Sequence, residues 1–365
     1  MAGLDIVGRV AAPGDADWDA SRLAWNLSAE QQPAAVAFVE NADDVARVVR
    51  FAAKHELKVL GQSTGHGATP LGALEDTIVI KTERMRAIAV DRDTGTAHMQ
   101  AGVLALELAL VPVSELYAGT LILPAEAGAP AIRAYREWAA GAPEEVTSVV
   151  RFLRPPPLPD VPEPLRGRAL LTIGVACIGS EANGVEAVAA LREIGEPIMD
   201  LIGQRPVAGL SKIHMDPEHP VPARGHHAPI RELPDAAIDA FVAAAGPESG
   251  SPLLSAELRQ LGGALSRPAP EHGALSALDA SFLMFGVGMV MTPQAGQAVE
   301  RGLDNLNDAM QPWAADGGYL NFAERPCDVD ALMPPQTCAR LREIKLRWDP
   351  AELIRANHAV SIATA

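Results

Sequence analysis

Cysteine is scarce in this chain: Cys177, Cys327 and Cys338 are the three among 365 residues. They are odd in number and show neither a Cys-x-x-Cys pair nor Cys/His ligand spacing, which argues against a disulfide framework or a zinc site. Basic residues are also short, 30 Lys and Arg against 46 Asp and Glu, for a formal charge of −16. Nucleic acid and anionic membrane both demand clustered cations, so neither is expected as a partner. No uncharged apolar run reaches the length of a spanning helix. The start, Met1-Ala2-Gly3-Leu4-Asp5-Ile6, lacks a basic stretch followed by an apolar one. The resulting expectation is a reduced, cytoplasmic protein whose partner is a small-molecule substrate. With 48% hydrophobic residues, the chain has enough apolar material for a sizeable core, and its length suits two or three domains.

Against that background the stretch Leu60-Gly61-Gln62-Ser63-Thr64-Gly65-His66-Gly67-Ala68-Thr69-Pro70 stands out. It follows an apolar run and sets a histidine between glycines. Glycine lets backbone N–H groups converge on an anion, because no Cβ blocks positive φ or close approach. Ser63 and Thr64 add hydroxyl donors. The make-up suits a phosphate-cradling turn, and it also suits an ordinary tight turn with an exposed histidine. In so acidic a chain, any anionic ligand has to be held locally, by N–H groups and one or two cations.

The surroundings favour the ligand turn. Ala34 to Val39 is a short apolar run, and Asn41 with Asp43 and Asp44 suits a helix N-terminus. Val45, Val48, Val49, Ala52 and Ala53 follow at helical spacing. Leu57 to Leu60 is then a compact strand, so the turn falls at the carboxyl end of a βαβ-like unit, where open α/β sheets bind ligands. Three short β-type runs come next, 77–80, 87–90 and 96–101.

Taken together, Pro33, Val36 to Val39, Asp44-Val45, His55, Gly61, Gly65-His66-Gly67, Arg84-Met85, Val90-Asp91 and Gln100-Ala101-Gly102-Val103 resemble the first half of the flavin domain of FAD-linked oxidases. These form the berberine-bridge-enzyme-like branch, with a PCMH-type FAD-binding domain, of the vanillyl-alcohol-oxidase superfamily. The resemblance implies FAD as cofactor, held by Gly61, Gln62, Ser63, Thr64, Gly65, His66 and Gly67. It also implies that His66 occupies the position commonly bonded to the 8α-methyl carbon of the flavin. A neutral imidazole is a fair nucleophile near neutral pH, which suits that role. After Val103 the pattern breaks: 104–113 resembles the strand that ends such a flavin domain, so much of its second half is expected to be missing.

The remainder resembles the family again. Strands are expected at 117–123, 146–153, 169–177 and 281–290, and helices at 131–140, 181–194 and 295–310. Pro155 to Pro162 cannot continue a ladder and reads as a loop. The fold class implied is α+β: a partial FAD-binding domain over 1–113, an antiparallel-sheet substrate domain covered by helices over 114–335, and a segment over 336–365 that returns to the FAD domain. His214, His219, His226 and His227 invite a metal, but their spacing fits no compact zinc template, and a surface or substrate-facing loop is expected there. Arg259 reads as a residue that meets substrate or flavin, or as a plain surface arginine.

By the same resemblance, Tyr319 and Asn321 match a Tyr-x-Asn segment lying over the flavin ring, and Asn357 returns to the flavin domain near the C-terminus. Tyr319 is the expected catalytic base. The implied activity is an FAD-dependent oxidoreductase that takes a hydride from a small alcohol, sugar or amine to flavin N5, with O₂ or another acceptor reoxidising the flavin. The alternative is a non-catalytic remnant, or binding protein, with a degenerate flavin site.

Overall fold

The computed structural model describes residues 1, 3–101, 104–109, 111, 113–159, 161–269 and 272–362, with backbone alone for 101 and 104–109. The chain divides into two compact units. Unit 1 is Met1–Pro112 with His219–Pro222 and Glu324–Ala365, and unit 2 is Val113–Glu218 with Ala223–Ala323.

Unit 1 is built on a four-stranded sheet of β1 (Arg9–Ala11), β2 (Ala35–Phe38), β3 (Lys58–Gln62) and β4 (Thr77–Lys81), in the order β1-β2-β4-β3. Helix α1 (Ala42–Lys54) joins β2 to β3, and the Asn41 side chain caps it by accepting from the Asp44 amide. The expected strand, helix and strand are all present, yet β2 and β3 do not pair. β4 lies between them, parallel to both. Val48 and Ala52 of α1 pack on Ala35, Ala37, Val59, Ile78 and Ile80, while Leu60 and Val79 point to the other face. Two-residue alternation puts Gln62 and Lys81 on that second face too. Near the C-terminus, the Val59 amide donates to Leu353 O (2.9 Å) and the Arg355 amide to Val59 O (2.8 Å), so 353–355 runs beside β3.

A separate three-stranded antiparallel sheet follows: β5 (Ile88–Asp91), β6 (Thr96–Ala101) and β7 (Leu104–Ala109). The expected break in the family pattern falls at the Val103–Leu104 junction, and Val103 lies outside the described residues.

Unit 2 is an antiparallel sheet of β8 (Glu115–Pro124), β9 (Val146–Leu153), β10 (Leu170–Cys177), β11 (Met199–Asp200), β12 (Gly203–Pro206), β13 (Ala223–Ile230), β14 (Ser255–Gln260) and β15 (Phe282–Met289). Its order is β11-β8-β10-β9-β14-β15-β13, with β12 also on β8. Val150 and Phe152 of β9 and Leu171 and Ile173 of β10 enter one core with four helices. These are α2 (Gly128–Gly141) through Ile132 and Tyr135, α3 (Glu181–Arg192) through Val188 and Leu191, α4 (Asp235–Ala245) through Ile238 and Phe241, and α5 (Pro293–Met310) through Val299 and Leu303. All four helices therefore cover the same face of the sheet, as an α+β domain of this kind requires. The Tyr135 hydroxyl, buried in that core, bonds Ser148 at 2.8 Å, and burial pushes its pKa up.

One local expectation is corrected. His226 and His227 do not sit in a loop; both belong to β13, the edge strand, where pairing with β15 satisfies the backbone. Pro229 is tolerated there because its missing N–H falls on the side away from β15, where only an isolated bridge to 313–315 forms and the Pro229 carbonyl accepts from the Ala315 amide at 2.8 Å. Among the described residues no cluster of His, Cys, Asp and Glu could hold a metal, and no helix is long and apolar enough to cross a membrane.

Candidate functional sites in the two units

In unit 1 the chain leaves β3 at Gln62 and turns sharply. Gly65 takes φ +86°, and a Cβ there would lie 2.8 Å from Ala24 Cβ, so the turn needs glycine for both conformation and space. The turn is held by its carbonyls: Thr64 O accepts from the Trp25 amide at 2.9 Å and Gly65 O from the Asn26 amide at 3.5 Å. Asn357 Nδ2 donates to Gly67 O. By contrast, the five successive amides of Ser63 to Gly67 donate to no acceptor among the described residues. They border a cavity of about 190 Å³ lined by Leu60 to Ala68, Leu71 and Asn357. Free amides in a row on a glycine turn form a nest for an anion.

The imidazole of His66 stacks on Trp25, with ring centroids 4.9 Å apart and planes 14° from parallel. Its Nδ1 bonds Thr64 Oγ1 at 2.8 Å. Desolvation lowers the His66 pKa, which keeps the ring neutral. Behind the turn, Gln62 Nε2 donates to Gln31 Oε1 at 3.0 Å, which leaves Gln62 Oε1 and Gln31 Nε2 buried without partners. Lys81, the register partner of Gln62 across β3 and β4, is 6% exposed. Its ammonium donates to Leu23 O, and burial lowers its pKa against the pull of Glu83. Trp25, Gln31 and Lys81 carried no signal in the sequence. The first two lie in irregular segments, and the third ends an apolar strand.

The donor set suits the phosphate-bearing part of a dinucleotide. Five free amides on the cavity wall are donors for negative oxygens, and behind the turn two buried amide groups each keep an atom without a hydrogen-bond partner. The cavity, about 190 Å³, is below the usual ~300–1,000 Å³ of a small-molecule site, so by itself it has room for only part of such a ligand.

In unit 2 the face of the sheet opposite the helices carries one lateral row. Thr172, Arg151, Glu257, Phe285 and His227 are register partners across β10, β9, β14, β15 and β13. Arg151 and Glu257 are 4% and 2% exposed. Arg151 Nε donates to Thr172 Oγ1 at 3.1 Å and Nη2 to His214 O at 2.6 Å, while Nη1 lies 3.9 Å from Asp216. Glu257 Oε1 accepts from Arg259 Nε at 2.6 Å. At the far end, His227 Nε2 accepts from the Tyr319 amide at 2.9 Å.

Tyr319 precedes the 3₁₀ turn Leu320–Phe322, which Phe322 ends, and Asn321 is exposed within it. Phe322 meets Phe285 edge-on at 5.2 Å, Tyr319 at 5.5 Å, and the Arg259 guanidinium at 5.0 Å from its ring centroid. Tyr319 and Asn321 thus share a turn in unit 2, whereas Gly61 to Gly67 and Asn357 share a loop cluster in unit 1. Arg151 and Glu257 were missed in the sequence. The available signal was a charge in mid-strand, in Val149-Val150-Arg151-Phe152-Leu153 and Ser255-Ala256-Glu257-Leu258.

Residues 33–122 match the family model of the FAD binding domain. A stretch of 108 residues is 32% identical to the FAD-linked oxidoreductase pynB of Aspergillus niger, covering 29% of this chain and 20% of that protein. A stretch of 105 residues is 30% identical to the (R)-6-hydroxynicotine oxidase of Paenarthrobacter nicotinovorans, covering 29% of this chain and 23% of that protein. The matched stretch spans about a fifth of these relatives' own length. Among solved structures, wild-type BBE-like 1 of Physcomitrella patens aligns with TM-score 0.79 over 98% of both chains at 12% identity. The 6-hydroxy-D-nicotine oxidase of Arthrobacter nicotinovorans aligns with TM-score 0.76 over 99% of both chains at 16% identity. These likenesses establish a shared fold.

Proposed function

We propose, from the FAD binding domain match over residues 33–122 and from the fold, that this chain is an FAD-linked oxidase with FAD as cofactor that oxidises a small molecule of the alcohol, sugar or amine type. The observation that carries this reading is the row of free amides from Ser63 to Gly67, an anion nest in a chain of charge −16. FAD, when bound, supplies the two-electron acceptor for a hydride from the substrate, and O₂ or another acceptor restores it. The chain's residues do the rest. Ser63 to Gly67 receive phosphate oxygens, with Gln62 and Lys81 behind them. The neutral ring of His66, fixed by Thr64 and Trp25, is the attachment point for a covalently held cofactor. Asn357 braces the turn through Gly67. In unit 2, Tyr319 takes the proton of a substrate hydroxyl or amine, on a turn anchored by His227, and Asn321 lies beside it on the same turn. The charge balance supports a small-molecule partner over nucleic acid or membrane, and the free thiols of Cys177, Cys327 and Cys338 support a reducing cytoplasm.

A second reading, a binding protein without turnover, is favoured by the small size of the unit 1 cavity. Denaturing gel fluorescence of wild type against His66→Ala decides between them. A flavin band lost only in the variant supports the oxidase with covalent FAD. Flavin that is released on denaturation, with measurable hydrogen peroxide production, supports an oxidase with dissociable FAD. No flavin in either protein supports the binding protein.

A further inference from the structure

On the face of the unit 2 sheet opposite the helices, two arginines lie close to a single buried carboxylate. Arg151 and Arg259 stand against one buried carboxylate, Glu257, with Asp216 exposed and 3.9 Å from Arg151. The two arginines differ in how their nitrogens are used. Arg151 spends its donors inward, on Thr172 and His214. Arg259 gives only Nε, to Glu257, so its Nη1 and Nη2 have no acceptor among the described residues. Glu257 thereby fixes the plane of a guanidinium whose outer fork is free.

That fork borders an aromatic shelf. Phe322 lies under the Arg259 guanidinium, and Phe285 and Tyr319 pack against Phe322. All three rings are half-buried, so each keeps an exposed surface. Neighbouring His214 registers the positive field: burial first, then Arg151 and Arg259, lower its pKa to about 4 against the opposing pull of Asp216. A free planar fork beside half-exposed rings matches a carboxylate on a flat or apolar body, because two parallel N–H donors bind two carboxylate oxygens.

We propose that the substrate is an organic acid, whose carboxylate is received by the free Nη1/Nη2 edge of Arg259 while its body rests on Phe322, Phe285 and Tyr319. The inference rests on the oxidoreductase reading for the ligand's being a substrate, and the anion site itself is testable apart from that reading.

Benzoate and benzamide have nearly the same shape and differ in charge, so they serve as probes. Titration calorimetry on the full-length protein should show benzoate binding roughly tenfold or more tighter than benzamide, the scale of one charge-assisted hydrogen bond. Removing Arg259 alone strands a buried carboxylate, so the decisive variant is the neutral pair Glu257→Gln with Arg259→Gln, which should lose the preference. Arg259→Lys, a point charge without the fork, should keep part of it. Equal binding of the two probes, no binding of either, or a preference surviving in the neutral pair would overturn the proposal. Flavin absorbance of the same samples separates the two readings. A colourless protein that prefers benzoate loses the oxidase and keeps the anion site, whereas a yellow protein without the preference does the reverse.

Discussion

The indole of Trp25 lies almost parallel to the imidazole of His66, 14° from coplanar and 4.9 Å between ring centres. The stack excludes water from one face of the ring and so contributes to the desolvation that lowers the His66 pKa. Trp25→Ala should raise that pKa towards the ordinary value of about 6.5. Following the His66 Cε1 proton by NMR as pH is varied checks this, and an unchanged midpoint in the variant would show that the stack does not set the ring's charge.

Gly65 makes the turn possible, at φ +86° with 2.8 Å between its would-be Cβ and Ala24 Cβ. Gly65→Val should abolish flavin retention, since a β-branched residue held there costs about 1–3 kcal/mol before the clash with Ala24 is counted. Gly141→Ala, at a helix end with open space around it, should leave flavin content as in wild type. Flavin-to-protein absorbance ratios after gel filtration read both, and a yellow Gly65→Val protein would remove the turn from the cofactor site.

Asp44 ties the start of the chain to α1. Its carboxylate accepts from the amides of Val7 (2.8 Å), Gly8 (3.0 Å) and Glu40 (3.0 Å). Burial alone would raise its pKa, but these three donors hold it below the usual carboxylate range. The folded value is the lower one, so the stability it contributes is present above the unfolded pKa near 4 and is lost as pH falls through the folded value. Asp44→Asn should cost roughly 1.5–3 kcal/mol at neutral pH and flatten the acid limb of thermal stability. A variant as acid-sensitive as wild type would show that another group governs that limb.

His214 governs a different window. With its pKa lowered to about 4 in the folded state, the unfolded chain binds the extra proton between pH 6.5 and that value. Stability should therefore fall as pH drops across this range. His214→Gln should weaken that slope in unit 2, read as melting temperature against pH. An identical slope in the variant would place the pH dependence elsewhere.

The regular elements were legible because their periods are local. Val45, Val48, Val49 and Ala52 mark α1 by spacing alone, and the Gly-His-Gly turn marks itself by composition. What the sequence withheld is non-local. The insertion of β4 between β2 and β3 depends on pairing Ala35 with Ile78, 43 positions on, and Lys58 with Thr77, 19 positions on, to which no local pattern points. Trp25 reaches His66 from an irregular segment, and Arg151 meets Glu257 only once β9 and β14 lie side by side. His226-His227 reads as a loop beside so many prolines, and becomes strand because β15 offers it a ladder.

The chain beside β3 has a bearing on synthesis. Val59 bonds to Leu353 and Arg355, Arg355 also reaches Asp76 at 2.7 Å, and the Leu27 amide bonds Val221. Unit 1 therefore draws on three stretches separated by almost the whole polypeptide. A ribosome will have released most of unit 2 before the last partner of Val59 emerges, so the glycine turn must wait, half-supported, for some 300 residues' worth of translation. Loop closure over such separations is slow, so the segment that carries the glycine turn gains its C-terminal strand partner only at the end of synthesis.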